Sequence, residues 1–221
     1  MKARDQKTSY AGIDHNARIA SDNVALNVTG AILVGGQARR FGGAFKPSLR
    51  VGNDSIIVRQ IASFRAAGID DVVVVGKSPL SFAGVRHVAD AVEGGALGGL
   101  YSALLVATHP VVVVLAGDMP FVTASLVRCL VRLIGDEDAV VPRVDGQWHP
   151  LCGAYRRSIA SRLKARLDRH EWRVTDALGD LRVRALETDE LTECDATDMP
   201  LMNVNTPDDH REAERLARAQ S

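Results

Sequence analysis

Aromatic residues make up only 5% of the 221-residue chain, and its charges cancel, with 27 Lys and Arg against 27 Asp and Glu. A general nucleic-acid binder carries excess cationic charge to neutralise phosphates, and a single-strand binder adds aromatic stacking platforms. Both features are missing, so no nucleic-acid partner is expected. Long apolar runs are also absent. The longest, Val111 to Ala116, falls far short of the roughly 18–20 residues that span a bilayer. The first residues lack the apolar stretch of a secretory signal. No membrane association is expected, and a cytoplasmic location is. The three cysteines, Cys129, Cys152 and Cys194, are odd in number and widely spaced, which indicates neither a disulfide framework nor a zinc site. The six histidines show no H-E-x-x-H spacing, and no G-x-S-x-G elbow is present.

What is present is ample apolar material, 46% of the chain, enough for a sizeable core. Residues 1–28 are polar and without a sustained period, and read as a mobile leader; a single domain is expected over 29–221. The apolar run Ala31 to Val34 ends in Gly35-Gly36 and predicts a buried strand entering a glycine loop. Asp54 or Ser55 can cap a helix carrying Ile56, Ile57, Ile61 and Phe64 on one side, stopped by Gly68. Asp71 to Gly76 and Val111 to Ala116 are continuously apolar strands, as in a parallel sheet covered on both faces. Gly94 to Gly99 reads as a loop before a helix from Leu100 to Ala107, and Thr123 opens a helix ending near Gly135. Ala139 to Pro142 and Val183 to Leu186 are shorter strands, and Arg156 to Arg169 is an amphipathic helix. Thr206-Pro207-Asp208-Asp209 is a strong helix start, with a capping hydroxyl, a proline in the first turn and acids at the positive end of the dipole. Alternating strands and helices define an α/β fold: a three-layer α/β/α, Rossmann-like domain with a mostly parallel sheet.

In such sheets ligands bind beyond the carboxyl ends of the strands, near a switch in strand order. Three features fall at expected strand ends. The first is Gly35-Gly36-Gln37-Ala38-Arg39-Arg40-Phe41-Gly42-Gly43-Ala44-Phe45-Lys46. Its glycines let backbone N–H groups approach phosphates, and its cations can neutralise them. Ala44 and Phe45 separate Gly43 from Lys46, so this is not G-x-x-x-x-G-K-[ST]. The absence of G-x-G-x-x-G counts against a nicotinamide-dependent oxidoreductase. The second is Gly117-Asp118-Met119-Pro120, an acid directly after a buried strand, able to hold Mg2+ against phosphates. The third is Asp90 with the glycine-rich Glu93 to Gly99. In Asn203-Val204-Asn205 the two amides alternate onto one side of an extended segment. His149 lies beside Trp148 in a polar loop.

Taken together, these residues resemble the molybdenum cofactor guanylyltransferase (MobA-like) family of the nucleotidyltransferase fold, over about residues 29–215. The family's L-A-G-G-x-x-x-R-M-G-G-x-D-K is similar to Leu33-Val34-Gly35-Gly36 through Arg40-Phe41-Gly42-Gly43-Ala44-Phe45-Lys46. Its P-G-P-L-A-G loop is similar to Gly94 to Gly99, its acidic strand end to Gly117 to Pro120, and its His-Pro pair to His149-Pro150. N-V-N-T-P is intact at Asn203 to Pro207. The resemblance implies that Leu33, Val34 and Gly35 line a nucleotide site, with Gly36, Arg40, Gly43 and Lys46 around the triphosphate. It implies that Asp90 recognises the guanine nucleotide, Asp118 ligates Mg2+, and Gly95 and Gly99 shape a loop beside the substrates. Arg173, Asn203 and Asn205 would contact the pterin. Arg40, Lys46 and Asp118 would carry catalysis, in which the terminal phosphate of Mo-molybdopterin attacks the α-phosphate of GTP and pyrophosphate leaves. Proteins that deliver molybdopterin and chaperones of molybdoenzymes are the implied protein partners. The chain departs from the family pattern at Val34 (Ala in the family), Phe41 (Met), Phe45 (Asp), Val75 (Asn) and Ala96 (Pro). Those departures leave open a sibling that uses CTP or a sugar phosphate, and a non-catalytic nucleotide binder.

Overall fold

The computed structural model describes residues 27–35, 45–195 and 199–219. Residues 1–26, most of the expected leader, lie outside it, and Val28 already belongs to the first strand. The strands are β1 (Val28–Leu33), β2 (Arg50–Val51), β3 (Asp54–Ser55), β4 (Asp71–Val75), β5 (Val85–Val88), β6 (Val111–Ala116), β7 (Ala139–Val144), β8 (Gln147–Trp148), β9 (Cys152–Arg156) and β10 (Val183–Glu187). The helices are α1 (Ile56–Ala66), α2 (Gly95–Val106), α3 (Ala124–Leu133), α4 (Ala160–Asp168), α5 (Val174–Ala177), α6 (Thr188–Cys194) and α7 (Pro207–Ala219).

The main sheet has the order β10-β7-β9-β6-β1-β4-β5, with β8 paired to β7. β5, β4, β1 and β6 are parallel, and so are β7 and β10. β9 runs antiparallel to both β6 and β7. From β1 the chain builds outward through β4 to β5, then returns to place β6 on the other side of β1. The switch in strand order therefore lies between β1 and β6, whose ends are in register at Leu33 and Ala116.

Both faces of the sheet are covered, which is why β4 and β6 read as unbroken apolar runs. On one face Ile32, Val72, Val74, Val113 and Leu115 pack against Ile57, Ile61 and Phe64 of α1 and Leu126, Val127 and Leu130 of α3. On the other, Ala31, Val73, Val112 and Val114 pack against Leu97, Leu100 and Leu104 of α2 and Leu163 and Leu167 of α4. Gly30, inside β1, makes the close approach of α1 possible: a Cβ there would lie 2.8 Å from the Phe64 ring. Phe64 is fully buried, so truncating it to alanine would cost about 3–5 kcal/mol.

A third apolar cluster lies under the carboxyl edge. Val51 and Ile56 from the β2–β3 hairpin and its exit, Phe121, and Val204, Ala213 and Ala217 from the C-terminal segment come together there. Glu214 Oε1 accepts a hydrogen bond from Gly52 N, and a His210 ring nitrogen pairs with Arg50 O. The last helix is thus tied to the segment that follows Lys46.

Several elements differ from expectation. α2 begins at Gly95, not Leu100, so Gly95 and Gly99 sit in its first turns and not in a loop before it. The expected helix over 156–169 is present but starts later: Arg156 ends β9, a 3-10 turn spans Arg157–Ile159 and α4 follows. The extended segment over 203–205 belongs to no strand. Cys129 on α3 and Cys194 on α6 are disulfide-bonded, with Cα atoms 5.8 Å apart. Their 65-residue separation conceals that proximity in the sequence. Cys152 is free and buried, and burial, reinforced by the charge of Asp195, pushes its thiol up to about 12. No described helix is long and apolar enough to cross a membrane.

Candidate active site

The turn after β6 is held from two sides. Gly117 N donates to Leu33 O at 2.9 Å, joining the ends of β1 and β6. A Cβ on Gly117 would lie 3.0 Å from both Leu33 O and Pro47 Cγ, so glycine is what lets the two strand ends and the Lys46 segment close together. From α1, the buried Gln60 amide donates to Ala116 O (2.7 Å) and Met119 O (3.1 Å), spanning the turn. Asp118 is fixed between these anchors. Its Oδ1 is buried and has no hydrogen-bond partner among the described residues, and its Oδ2 lies 3.9 Å from Lys46 Nζ. Burial pushes the Asp118 carboxyl above the usual carboxylate range, with the nearby ammonium opposing it.

Lys46 opens a 3-10 turn, Lys46–Ser48, anchored on both sides. Phe45 packs partly buried against the core, Pro47 is buried, and the Ser48 hydroxyl donates to Phe45 O at 2.6 Å. The residue that replaces the family's acid is therefore an apolar anchor. Lys46 Nζ finds its acceptor elsewhere, donating to Asn205 Oδ1 at 3.0 Å.

Asn205 is positioned by its own neighbours. Val204 is buried, and its N–H donates to Asp118 O at 2.8 Å. Asp209 Oδ2 accepts from the backbone N–H groups of Asn205 and Thr206, and the Thr206 hydroxyl accepts from Asp209 N. This is a reciprocal cap of α7. These bonds, that from Asn205 N foremost, hold the Asp209 carboxyl below its ordinary value. Three segments remote in sequence thus converge on one point at the switch: Lys46, Asp118 and Asn205.

Other expected residues sit around this point. Leu33 closes β1, and Val34 N donates to Val75 O at 2.8 Å. A Cβ on Gly99 would lie 3.4 Å from Leu33 Cδ1 and 3.8 Å from Asp90 Oδ1, which places Leu33, Gly99 and Asp90 on one patch. Burial raises the Asp90 carboxyl. Gly35 is exposed, and none of the described residues comes within 4 Å of where a Cβ would stand. Val75, where the family pattern has Asn, is buried in the core beneath α2. The Asn203 amide donates weakly to Leu201 O at 3.4 Å. Arg173 is exposed at the start of α5, beside the exposed Trp172. No contact among the described residues ties it to the Lys46 cluster. Gly36, Arg40 and Gly43 lie outside the described residues. Gln60 and Gly117 were missed as site residues. The available signals were a glutamine inside the otherwise apolar stripe of α1 and a glycine directly before the strand-end acid.

A mostly parallel α/β/α domain with a carboxylate, an ammonium and an amide gathered at its switch point has the architecture of a nucleotidyltransferase. The MobA-like NTP transferase domain model matches residues 30–183, and the chain belongs to that family. It is 29% identical over 196 residues to a molybdenum cofactor guanylyltransferase of Desulfosudis oleivorans, covering 87% of this chain and 96% of the relative. It is 31% identical to a probable molybdenum cofactor guanylyltransferase of Pelotomaculum thermopropionicum, covering 87% and 94%. Among solved structures it resembles molybdopterin-guanine dinucleotide biosynthesis protein A from Archaeoglobus fulgidus, with a TM-score of 0.73 and 25% identity over 86% of this chain and 99% of that one.

Proposed function

We propose that the protein transfers GMP from GTP to the terminal phosphate of Mo-molybdopterin, releasing pyrophosphate. The observation that carries this reading is the convergence of Lys46, Asp118 and Asn205 at the β1–β6 switch, in a chain whose relatives bear the guanylyltransferase name.

The reaction forms a bond between an acceptor phosphate oxygen and the α-phosphorus of GTP. It breaks the bond from that phosphorus to the bridging oxygen, and the electron pair leaves with pyrophosphate. Both reactants are anionic, so the protein's task is alignment and charge neutralisation. The acceptor phosphate is already ionised near neutral pH, with a second pKa of about 6, and needs no general base. The Lys46 ammonium has three N–H donors, so it would keep its bond to Asn205, which aims it, while donating its other hydrogens to phosphate oxygens. Leu33, Gly99 and Asp90 form the patch against which the nucleoside would lie.

Asp118 fits Mg2+. Its inner oxygen is buried and has no hydrogen-bond partner among the described residues, and Mg2+ is commonly held by one or two carboxylates, with phosphates and water completing the shell. Among the described residues no group of three or more His, Cys, Asp or Glu could hold an ion alone, which suits a metal that arrives with the triphosphate. When bound, the ion would supply positive charge against the negative charge that builds on the phosphates. Asp118 would hold it at the switch, and Lys46 would neutralise the same anion from the other side.

The test is to incubate the protein and Mg2+ with molybdopterin and each nucleoside triphosphate in turn, then identify the product by mass. The guanine dinucleotide with stoichiometric pyrophosphate is expected. A product with CTP alone would reassign the nucleotide. GTP binding without pyrophosphate release would make the protein a binder and not an enzyme.

A further inference from the structure

The same edge of the sheet carries a second rigid feature that the Lys46 cluster does not use. β9 is antiparallel to β6, and Cys152 at its start pairs with Leu115 near the end of β6. Residues 149–151 therefore lie at the carboxyl edge, on the flank of Asp118 that faces away from β1. Four hydrogen bonds hold this turn. His149 N donates to Pro142 O and Cys152 N to His149 O, both at 2.9 Å. Leu151 O accepts from Ala116 N at 2.7 Å, two residues before Asp118. The buried Tyr155 hydroxyl donates to Pro150 O.

From this scaffold projects the His149 imidazole. It is half-buried, and neither ring nitrogen has a hydrogen-bond partner among the described residues. The His210 ring, by contrast, is engaged with Arg50 O, and the His87 ring stacks on Phe82. Burial holds the His149 pKa below its ordinary value, so at neutral pH the ring is uncharged and offers one N–H donor and one acceptor. A half-buried ring on a turn held by four hydrogen bonds, with both nitrogens uncommitted among the described residues, is placed to meet a ligand at this edge.

The flank decides which ligand. Leu33 at the end of β1, Gly99 in α2 and Asp90 after β5 form the patch proposed for the nucleoside, so the nucleotide belongs to the β1–β4–β5 half of the edge. The β6–β9 half remains for the second substrate. We propose that His149 contacts the phosphate monoester of the acceptor, donating a ring N–H to it and holding it beside Asp118 for attack on the nucleotide. This rests on the transfer reaction proposed above and adds a positioning residue on its acceptor side.

Two measurements test it. The first is calorimetric titration of molybdopterin into protein saturated with Mg2+ and a non-hydrolysable GTP analogue, for wild type, His149→Ala and His149→Gln. The alanine variant is expected to bind the acceptor at least tenfold more weakly, to bind the GTP analogue within twofold of wild type and to keep its melting temperature. The glutamine variant, which retains an N–H donor, is expected to recover part of the loss. In turnover the loss appears in KM for the acceptor and not in KM for GTP. The second is NMR of 15N-histidine-labelled protein titrated with inorganic phosphate, the His149 signals being assigned by their absence from the alanine variant. Acceptor affinity within twofold of wild type in His149→Ala overturns the inference. If wild type ignores molybdopterin while the His149 ring signals shift with phosphate, the phosphate contact stands and the acceptor assignment falls. If neither ligand has an effect, both fall.

Discussion

Lys46 and Asn205 are 159 positions apart in sequence, yet the lysine ammonium donates to the asparagine side-chain oxygen across 3.0 Å. The bond joins the segment after the glycine-rich stretch to the segment before the last helix. It forms where Asp118 Oδ2 is 3.9 Å from the same nitrogen. One flexible cation thus has two fixed reference points. Preorganisation of this kind lowers the reorganisation required during reaction.

Replacing Lys46 with alanine is expected to lower turnover about a hundredfold, the usual effect of losing one electrostatic group worth about 3 kcal/mol. It should also weaken GTP binding. Asn205→Ala leaves the charge in place but removes its guide, so a smaller loss is expected, on the order of tenfold. Because both variants remove one interaction, the double variant should lose less than the product of the two. Steady-state kinetics on the four proteins of the cycle gives the coupling, and full multiplicativity would show that the bond does not matter to catalysis.

Gln60 touches no expected substrate position, yet its amide bridges the carbonyls on either side of Asp118. Gln60→Leu keeps an apolar volume and removes the bridge, leaving the two carbonyls to find other donors. Stability should fall by about 1–3 kcal/mol. The more telling readout is kcat for protein that remains folded, which should fall while GTP affinity changes less. Unchanged kcat in a variant of lowered melting temperature would limit Gln60 to stability.

Burial of Asp118 costs stability. Its folded pKa is raised by burial, so ionisation is less favourable in the folded state than in the unfolded chain. The destabilisation is absent below the unfolded value of about 3.8, grows as pH rises through the folded pKa and is fully present above it. Asp118→Asn is therefore expected to stabilise the metal-free protein at pH 7 by about 1 kcal/mol while abolishing transfer. The gain should vanish near pH 3. Melting curves of both proteins across pH check the sign, and a destabilised asparagine variant at pH 7 would contradict it.

Much of this was legible in the residues themselves. β6, the Thr123 cap and the start of α7 were legible because each depends on local chemistry: a continuous apolar run, a hydroxyl accepting from Leu126 N, and Thr-Pro-Asp-Asp. β9 was hidden because Cys152 to Arg156 carries a glycine and an alanine and has no alternation, and its antiparallel insertion depends on two neighbours distant in the chain. α2 was placed late because glycines argue against helix. Here Gly98 and Gly99 are tolerated because backbone and side chains pack where a Cβ would stand, 3.1 Å from Val92 O in the case of Gly98. At the site, Asp118, Lys46 and Asn205 could be named from motifs, but the departure at Phe45 could not be interpreted. Only the fold shows that Phe45 anchors the turn against the core and that Asn205 meets the lysine.

The opposite edge of the sheet offers a control on these electrostatics. Asp71, at the amino end of β4, accepts from the hydroxyls of Thr29 and Thr108, both at 2.6 Å, and from the Arg86 guanidinium at 2.9 Å. Burial would raise its pKa, but the bonds from Thr108, Thr29 and Arg86 together outweigh it, and the carboxyl is held below 3.8. The sign is the reverse of that at Asp118. Stability from Asp71 is fully present above about 3.8 and is lost as pH falls through the lower folded value. Asp71→Asn should cost about 1–2 kcal/mol at pH 7, since hydrogen bonds to a charged group are worth somewhat more than neutral ones. The difference from wild type should shrink as the pH drops below 4, and turnover of the folded variant should be unchanged because Asp71 lies at the far end of its strand from Asp118. Melting temperatures and kcat of both proteins at several pH values test this. A cost that persists undiminished in acid would mean that Asp71 acts through shape and not charge.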